Sequence, residues 1–67
     1  MDIQQRLAKN LRKHRKAKTW SQEMLAFEAG IHRTYISDLE RGARNPTIRL
    51  VEKLAQALEV SAGELLD

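Results

Sequence analysis

A helix ending near Ala29 and another beginning near His32 leave room between them only for a sharp turn through Gly30, and no other feature limits the fold as tightly. With no Cβ, Gly30 can take a positive φ without steric cost. Ala26, four residues earlier, is small where two helices must cross closely, and Ile31 and Ile36 can fill the wedge between them. An ordinary helical corner accounts for Gly30 and Ile31 equally well but says nothing of the polar residues that follow.

The rest of the chain supplies partners for that corner. From Ile3 to about Lys16, the apolar positions Ile3, Leu7, Ala8 and Leu11 recur every three or four residues among Lys and Arg, the pattern of an amphipathic helix with a cationic face. Ser21 is placed to cap a second helix with Leu25, Ala26 and Ala29 inward, although Met24 at its third position rules out a capping box. A third helix is expected from about His32 to Arg41, with Ile36 and Leu39 inward and Gly42 as its stop. Thr47 caps a fourth, whose inner face is drawn from Ile48, Val51, Leu54, Ala55 and Leu58, and Ser61 with Glu64 forms a capping box for a last short one. No stretch alternates long enough for a strand. The expected fold is all-α, with helices two and three as a helix-turn-helix.

Length and composition exclude whole classes of function. Sixty-seven residues make one domain, which buries only about 60% of its unfolded surface and depends on a single apolar core. The absence of cysteine removes disulfides and thiolate chemistry, and two histidines far apart give no metal motif. No run is apolar enough for a membrane span or a targeting segment, so a cytoplasmic protein is expected. No acid–base constellation or phosphate-cradling glycine loop supports catalysis, and neither a cofactor nor a small-molecule effector is implied. Charge is unevenly spread: residues 1–49 carry eleven Lys and Arg against five Asp and Glu, whereas residues 50–67 carry one against four. A basic body with an acidic end suits a polyanionic partner.

From Trp20 to Gly42 the chain reads WSQEMLAFEAGIHRTYISDLERG, followed by ARNPTIRLVEKLAQALEVSAGELL. In the order and spacing of Ser21-Gln22-Glu23, Leu25-Ala26, Ala29-Gly30-Ile31, Ile36-Ser37, Leu39-Glu40, Gly42 and Asn45-Pro46 it resembles the Cro/C1-type helix-turn-helix family. The words Arg33-Thr-Tyr-Ile-Ser37 and Glu40-Arg-Gly42 are similar to those of restriction-modification controller proteins. This resemblance implies a compact five-helix, lambda-repressor-like DNA-binding domain over residues 1–67. Two departures stand out: Thr19 where the family often has glycine, and Met24 where it often has an acidic residue.

The resemblance also assigns roles. Arg33, Thr34, Ser37 and Asp38, opposite Ile36 and Leu39, would read bases from the major groove. Arg33 can donate two bonds to a guanine, a discrimination of about 1–3 kcal/mol. Asp38 repels phosphate, so it belongs beside DNA only if it accepts from cytosine N4 or holds Arg33 or another donor in place. Gln22, His32, Tyr35, Arg44, Asn45, Thr47 and Arg49 would contact phosphates, and the Arg12, Lys13 and Lys16 face would add general attraction. Arg15 and Glu40 would form a partly buried ion pair between helices one and three. One helix reads few base pairs, so a homodimer on a palindromic operator is expected, with Leu58, Val60, Leu65 and Leu66 as its contact unless they only close the monomer core. The alternatives are an antitoxin that also binds DNA and a helical interaction module that does not.

Overall fold

The computed structural model describes residues 2–67, which form five helices: α1 (Ile3–Ala17), α2 (Gln22–Ala29), α3 (Arg33–Glu40), α4 (Ile48–Leu58) and α5 (Ala62–Leu66). Each begins at a polar side chain that accepts from a backbone N–H two or three residues on: Asp2, Ser21, His32, Thr47 and Ser61. Such caps satisfy donors that the first helical turn otherwise leaves without partners. At α5 the box is reciprocal, with Glu64 Oε1 accepting from the Ser61 N–H at 3.0 Å. The same bond holds the Glu64 carboxyl below the usual carboxylate range.

The first four helices end alike. In each, an N–H bonds back five residues and its predecessor bonds back three: Trp20 to Arg15 and Thr19 to Lys16, Ile31 to Ala26 and Gly30 to Phe27, Ala43 to Asp38 and Gly42 to Leu39, Val60 to Ala55 and Glu59 to Gln56. This paired closure requires a left-handed residue. Gly30 and Gly42 supply it at φ 67° and 73°, while Thr19 and Glu59 adopt it at φ 60° despite their side chains. At Gly42 a Cβ would also lie 2.6 Å from Gln5 Nε2, the movable end of an exposed side chain on α1. The two strained turns are tied to each other by Lys18 Nζ, which bonds Glu59 Oε1 at 2.6 Å and lies 5.0 Å from the centre of the Trp20 ring.

Thr19 is therefore a site for stabilisation. A left-handed non-glycine residue costs roughly 1–2 kcal/mol, offset in part by the greater unfolded-state freedom of glycine. Thr19→Gly is expected to stabilise the protein by about 0.5–1 kcal/mol in urea titration. An unchanged or lower midpoint would show that the turn is unstrained.

The core lies where all five helices converge: Leu7 and Leu11 from α1, Leu25, Ala26 and Ala29 from α2, Ile36 and Leu39 from α3, Val51, Leu54, Ala55 and Leu58 from α4, and Leu65 from α5. Ala26 and Ala29 let α2 and α3 approach closely. The last helix closes on the first, because Arg6 Nε donates to the Leu66 carbonyl and Asn10 Nδ2 to those of Leu65 and Asp67 at 3.0–3.1 Å. Trp20 is only half-buried, packed against the edge of the core.

Two expectations about α4 and α5 are corrected. Ile48 does not join the core and is 87% exposed; in the same first turn of α4 it is Leu50 and Val51 that pack inward. Leu58 and Leu65, expected at a subunit contact, are buried within the monomer at 3% and 0% exposure and have no surface to offer. Val60 and Leu66 remain half-buried. Ile48 instead borders an apolar groove of about 210 Å³ whose walls include Ile3, Leu7, Pro46, Val51 and Leu66.

Candidate nucleic-acid interface

The orientation of α3 follows from its buried stripe. Ile36 and Leu39 have essentially no exposure, so Arg33 and Thr34 stand on the open side, with Ser37 and Asp38 half-buried beside them. Arg33 has no hydrogen-bond or ion-pair partner among the described residues. A guanidinium held on a rigid helix with its donors free can make paired bonds to a planar acceptor edge.

His32 belongs to the helix itself. Its Nδ1 accepts from the Thr34 N–H at 3.2 Å, which caps α3 and requires that nitrogen to be unprotonated. With Nδ1 engaged by the cap, Nε2 is the ring nitrogen of this exposed residue left to meet a partner.

Asp38 binds two arginines. Its Oδ1 accepts from Arg41 Nη2 at 2.5 Å and its Oδ2 from Arg44 Nε at 3.2 Å. These bonds, Arg41 first and Arg44 second, hold its carboxyl below the ordinary aspartate range. Arg44 also lies over the Tyr35 ring, 4.8 Å from its centre, and its carbonyl accepts from Gln4 Nε2 at 2.8 Å. Sequence reasoning left Arg41 and Gln4 out of the site. Arg41 carried a signal, three residues after an acid on a helix, whereas Gln4 is forty residues from Arg44 and carried none.

Arg15 and Glu40 lie between the outer face and the core. Arg15 Nε and Nη2 bond Glu40 Oε2 and Oε1 at 2.6 and 3.0 Å, and Arg15 Nη1 bonds the Trp20 carbonyl at 2.8 Å. Gln22 Nε2 donates to Glu40 Oε1 at 3.0 Å, which commits one of its two amide N–H bonds internally. Arg12 donates to the Glu40 carbonyl. One carboxylate thus joins α1, the start of α2 and the end of α3.

Asn45, Thr47 and Arg49 are exposed around the N-terminus of α4, where the Thr47 hydroxyl accepts from the Leu50 N–H at 3.1 Å. Arg41 and Arg44 meet at Asp38, and Arg33 on α3 and Arg49 on α4 are exposed cations. Among the described residues no group of His, Cys, Asp and Glu is arranged to hold a metal ion, and no helix is long and apolar enough to cross a membrane.

Comparison with known proteins places this architecture. A family model described as helix-turn-helix matches residues 11–65. The chain is 57% identical over 47 residues to control protein C.BamHI of Bacillus amyloliquefaciens, a match covering 70% of this chain and 58% of that relative's length. It is 47% identical over 66 residues to control protein C.SmaI of Serratia marcescens, covering 98% of this chain and 79% of the relative. The crystal structure of the restriction-modification controller protein C.AhdI from Aeromonas hydrophila superposes with a TM-score of 0.89 at 42% identity, over 92% of this chain and 94% of that one. With α2 and α3 set in the same relation and the match running through nearly every helix, the chain belongs to the Cro/C1-type helix-turn-helix family of DNA-binding regulators, which are not enzymes, and is homologous to restriction-modification controller proteins.

Proposed function

We propose that this chain is a transcriptional regulator of the restriction-modification controller kind, binding a palindromic operator as a homodimer with α3 in the major groove. The observation that carries the reading is Arg33: a cation on the open side of a helix whose other side is anchored in the core, with no ion-pair partner among the described residues. In this reading Arg33 and Thr34 contact base edges, and Ser37 lies one turn further along α3. Gln22, His32, Tyr35, Arg44, Asn45, Thr47 and Arg49 face the phosphates, which set register without reading sequence. His32 does so through its Nε2–H.

The subunit contact is the groove bordered by Ile3, Ile48 and Leu66. Ile3 and Ile48 are 50% and 87% exposed, and large aliphatic side chains at one edge of so small a protein favour a covered surface. A twofold pair would repeat the groove on both protomers and set two half-sites roughly 34 Å apart. Regulation is then a matter of occupancy upstream of a promoter.

Selection of preferred duplexes from random DNA, followed by gel shifts on the selected palindrome and on random duplex, tests this reading. Arg33→Ala is expected to weaken operator binding tenfold or more, on the scale of about 1–3 kcal/mol per lost base contact, and to leave most of the affinity for random duplex. Equal losses on both duplexes would remove Arg33 from base reading.

A further inference from the structure

Asp38 lies on the reading face, yet both its oxygens are already occupied by arginines, Arg41 at 2.5 Å and Arg44 at 3.2 Å. Its side chain is 18% exposed, against 64% and 50% for theirs, so the carboxylate sits behind two guanidiniums that reach outward. A base edge approaching α3 at this point meets arginine before aspartate. Building on the DNA-binding reading, we propose that Asp38 is a positioning residue that holds Arg41 and Arg44 as a two-pronged clamp for DNA phosphates beside the bases read by Arg33.

The geometry explains why such a clamp needs an acid. Two neighbouring guanidiniums repel each other, and long side chains left alone sample many rotamers. Asp38 screens the pair and fixes one direction for each. Arg44 is bound through Nε, which leaves both terminal nitrogens to donate, and Arg41 is bound through one terminal nitrogen, which leaves the other and its Nε. The Tyr35 ring under Arg44, and the Gln4 bond to the Arg44 carbonyl, keep the second prong from turning away. A phosphate oxygen can be met by two parallel N–H bonds from a guanidinium held this way.

The proposal inverts what net charge alone predicts. Removing a negative charge from a DNA-facing surface should tighten binding to every duplex and steepen its salt dependence. If Asp38 instead positions the arginines, Asp38→Asn weakens binding to the selected operator by about tenfold, the scale of losing one well-placed charge-assisted hydrogen bond. The slope of log affinity against log salt then becomes shallower. Asp38→Glu, which keeps the charge, should recover part of the loss. In an Arg41→Ala/Arg44→Ala background, Asp38→Asn should have no further effect.

Gel shifts of these variants over a salt series decide the matter, with circular dichroism verifying that each stays helical. Tighter binding by Asp38→Asn on operator and random duplex alike would overturn the proposal in favour of a plain surface acid. A loss that persists without the two arginines, and is confined to one base pair of the operator, would overturn it in favour of direct reading by Asp38. A wild-type chain that binds no duplex would overturn the DNA-binding reading itself, an outcome visible before any variant is made.

Discussion

Arg15→Ala is expected to leave much of the protein unfolded at room temperature. Glu40 is 3% exposed, and its carboxylate takes two bonds from Arg15 and one from Gln22. Among the described residues no buried side-chain nitrogen or oxygen lacks a partner, so this network is complete as it stands. Removing the guanidinium leaves a charge inside the protein with one neutral donor, at a cost of about 3–5 kcal/mol. A chain of this size has a total stability near the low end of the usual range, about 5 kcal/mol. The loss is compounded at the Trp20 carbonyl, where Arg15 Nη1 supports the turn in which Thr19 is left-handed.

The decisive contrast is with removal of both charges. Replacing Arg15 and Glu40 together by methionine takes away the attraction and the desolvation cost at once, and such exchanges are often neutral or stabilising. The double variant is therefore expected to be far more stable than Arg15→Ala. Urea unfolding followed through Trp20, the single tryptophan, measures each. A midpoint for Arg15→Ala that corresponds to a loss under about 1 kcal/mol would mean that water reaches Glu40 and that the pair behaves as a surface one.

How far these features could be read in advance depended on the range of the interaction. Ser21, Thr47 and Ser61 were legible as caps because a cap is a local event, decided within three or four residues. Gly30 and Gly42 were legible as stops for the same reason. Thr19 and Glu59 end helices in the same backbone shape but carry side chains that disfavour it, and among the contacts that accompany it is the Lys18 bridge between residues 41 apart. Periodicity grouped Ile48 with Val51, Leu54 and Leu58 on one side of α4, but could not say that nothing covers Ile48 there, whereas Val51 is buried. Leu58 and Leu65 illustrate the same limit: an apolar residue near the chain end fits a core and a contact equally until the packing is known. The Arg15 and Glu40 pairing spans 25 positions, and only resemblance to a family pointed to it. At Asp38 the sequence reading left two roles open, and the positions of Arg41 and Arg44 favour the holding role over the reading one.

Ile48→Glu is expected to separate the proposed dimer without unfolding its subunits. The side chain is 87% exposed, and substitutions at such positions usually change stability by no more than about 0.5 kcal/mol. At a twofold contact, however, one substitution acts twice, bringing two carboxylates toward an apolar groove floored by Leu7 and Val51. The residues lining the groove carry no charge, so a carboxylate turned into it would have to stay hydrated and hold the protomers apart. Sedimentation should then report a monomer with unchanged helicity. Operator affinity should fall by about 100-fold or more, because each half-site must be bound independently and the gain from linkage is lost. Leu65→Glu supplies the opposite control: fully buried within the monomer, it should unfold the subunit and not merely split the pair. A variant that sediments as a dimer after Ile48→Glu, or one that is monomeric yet binds the palindrome as tightly as before, would place the subunit contact on another face.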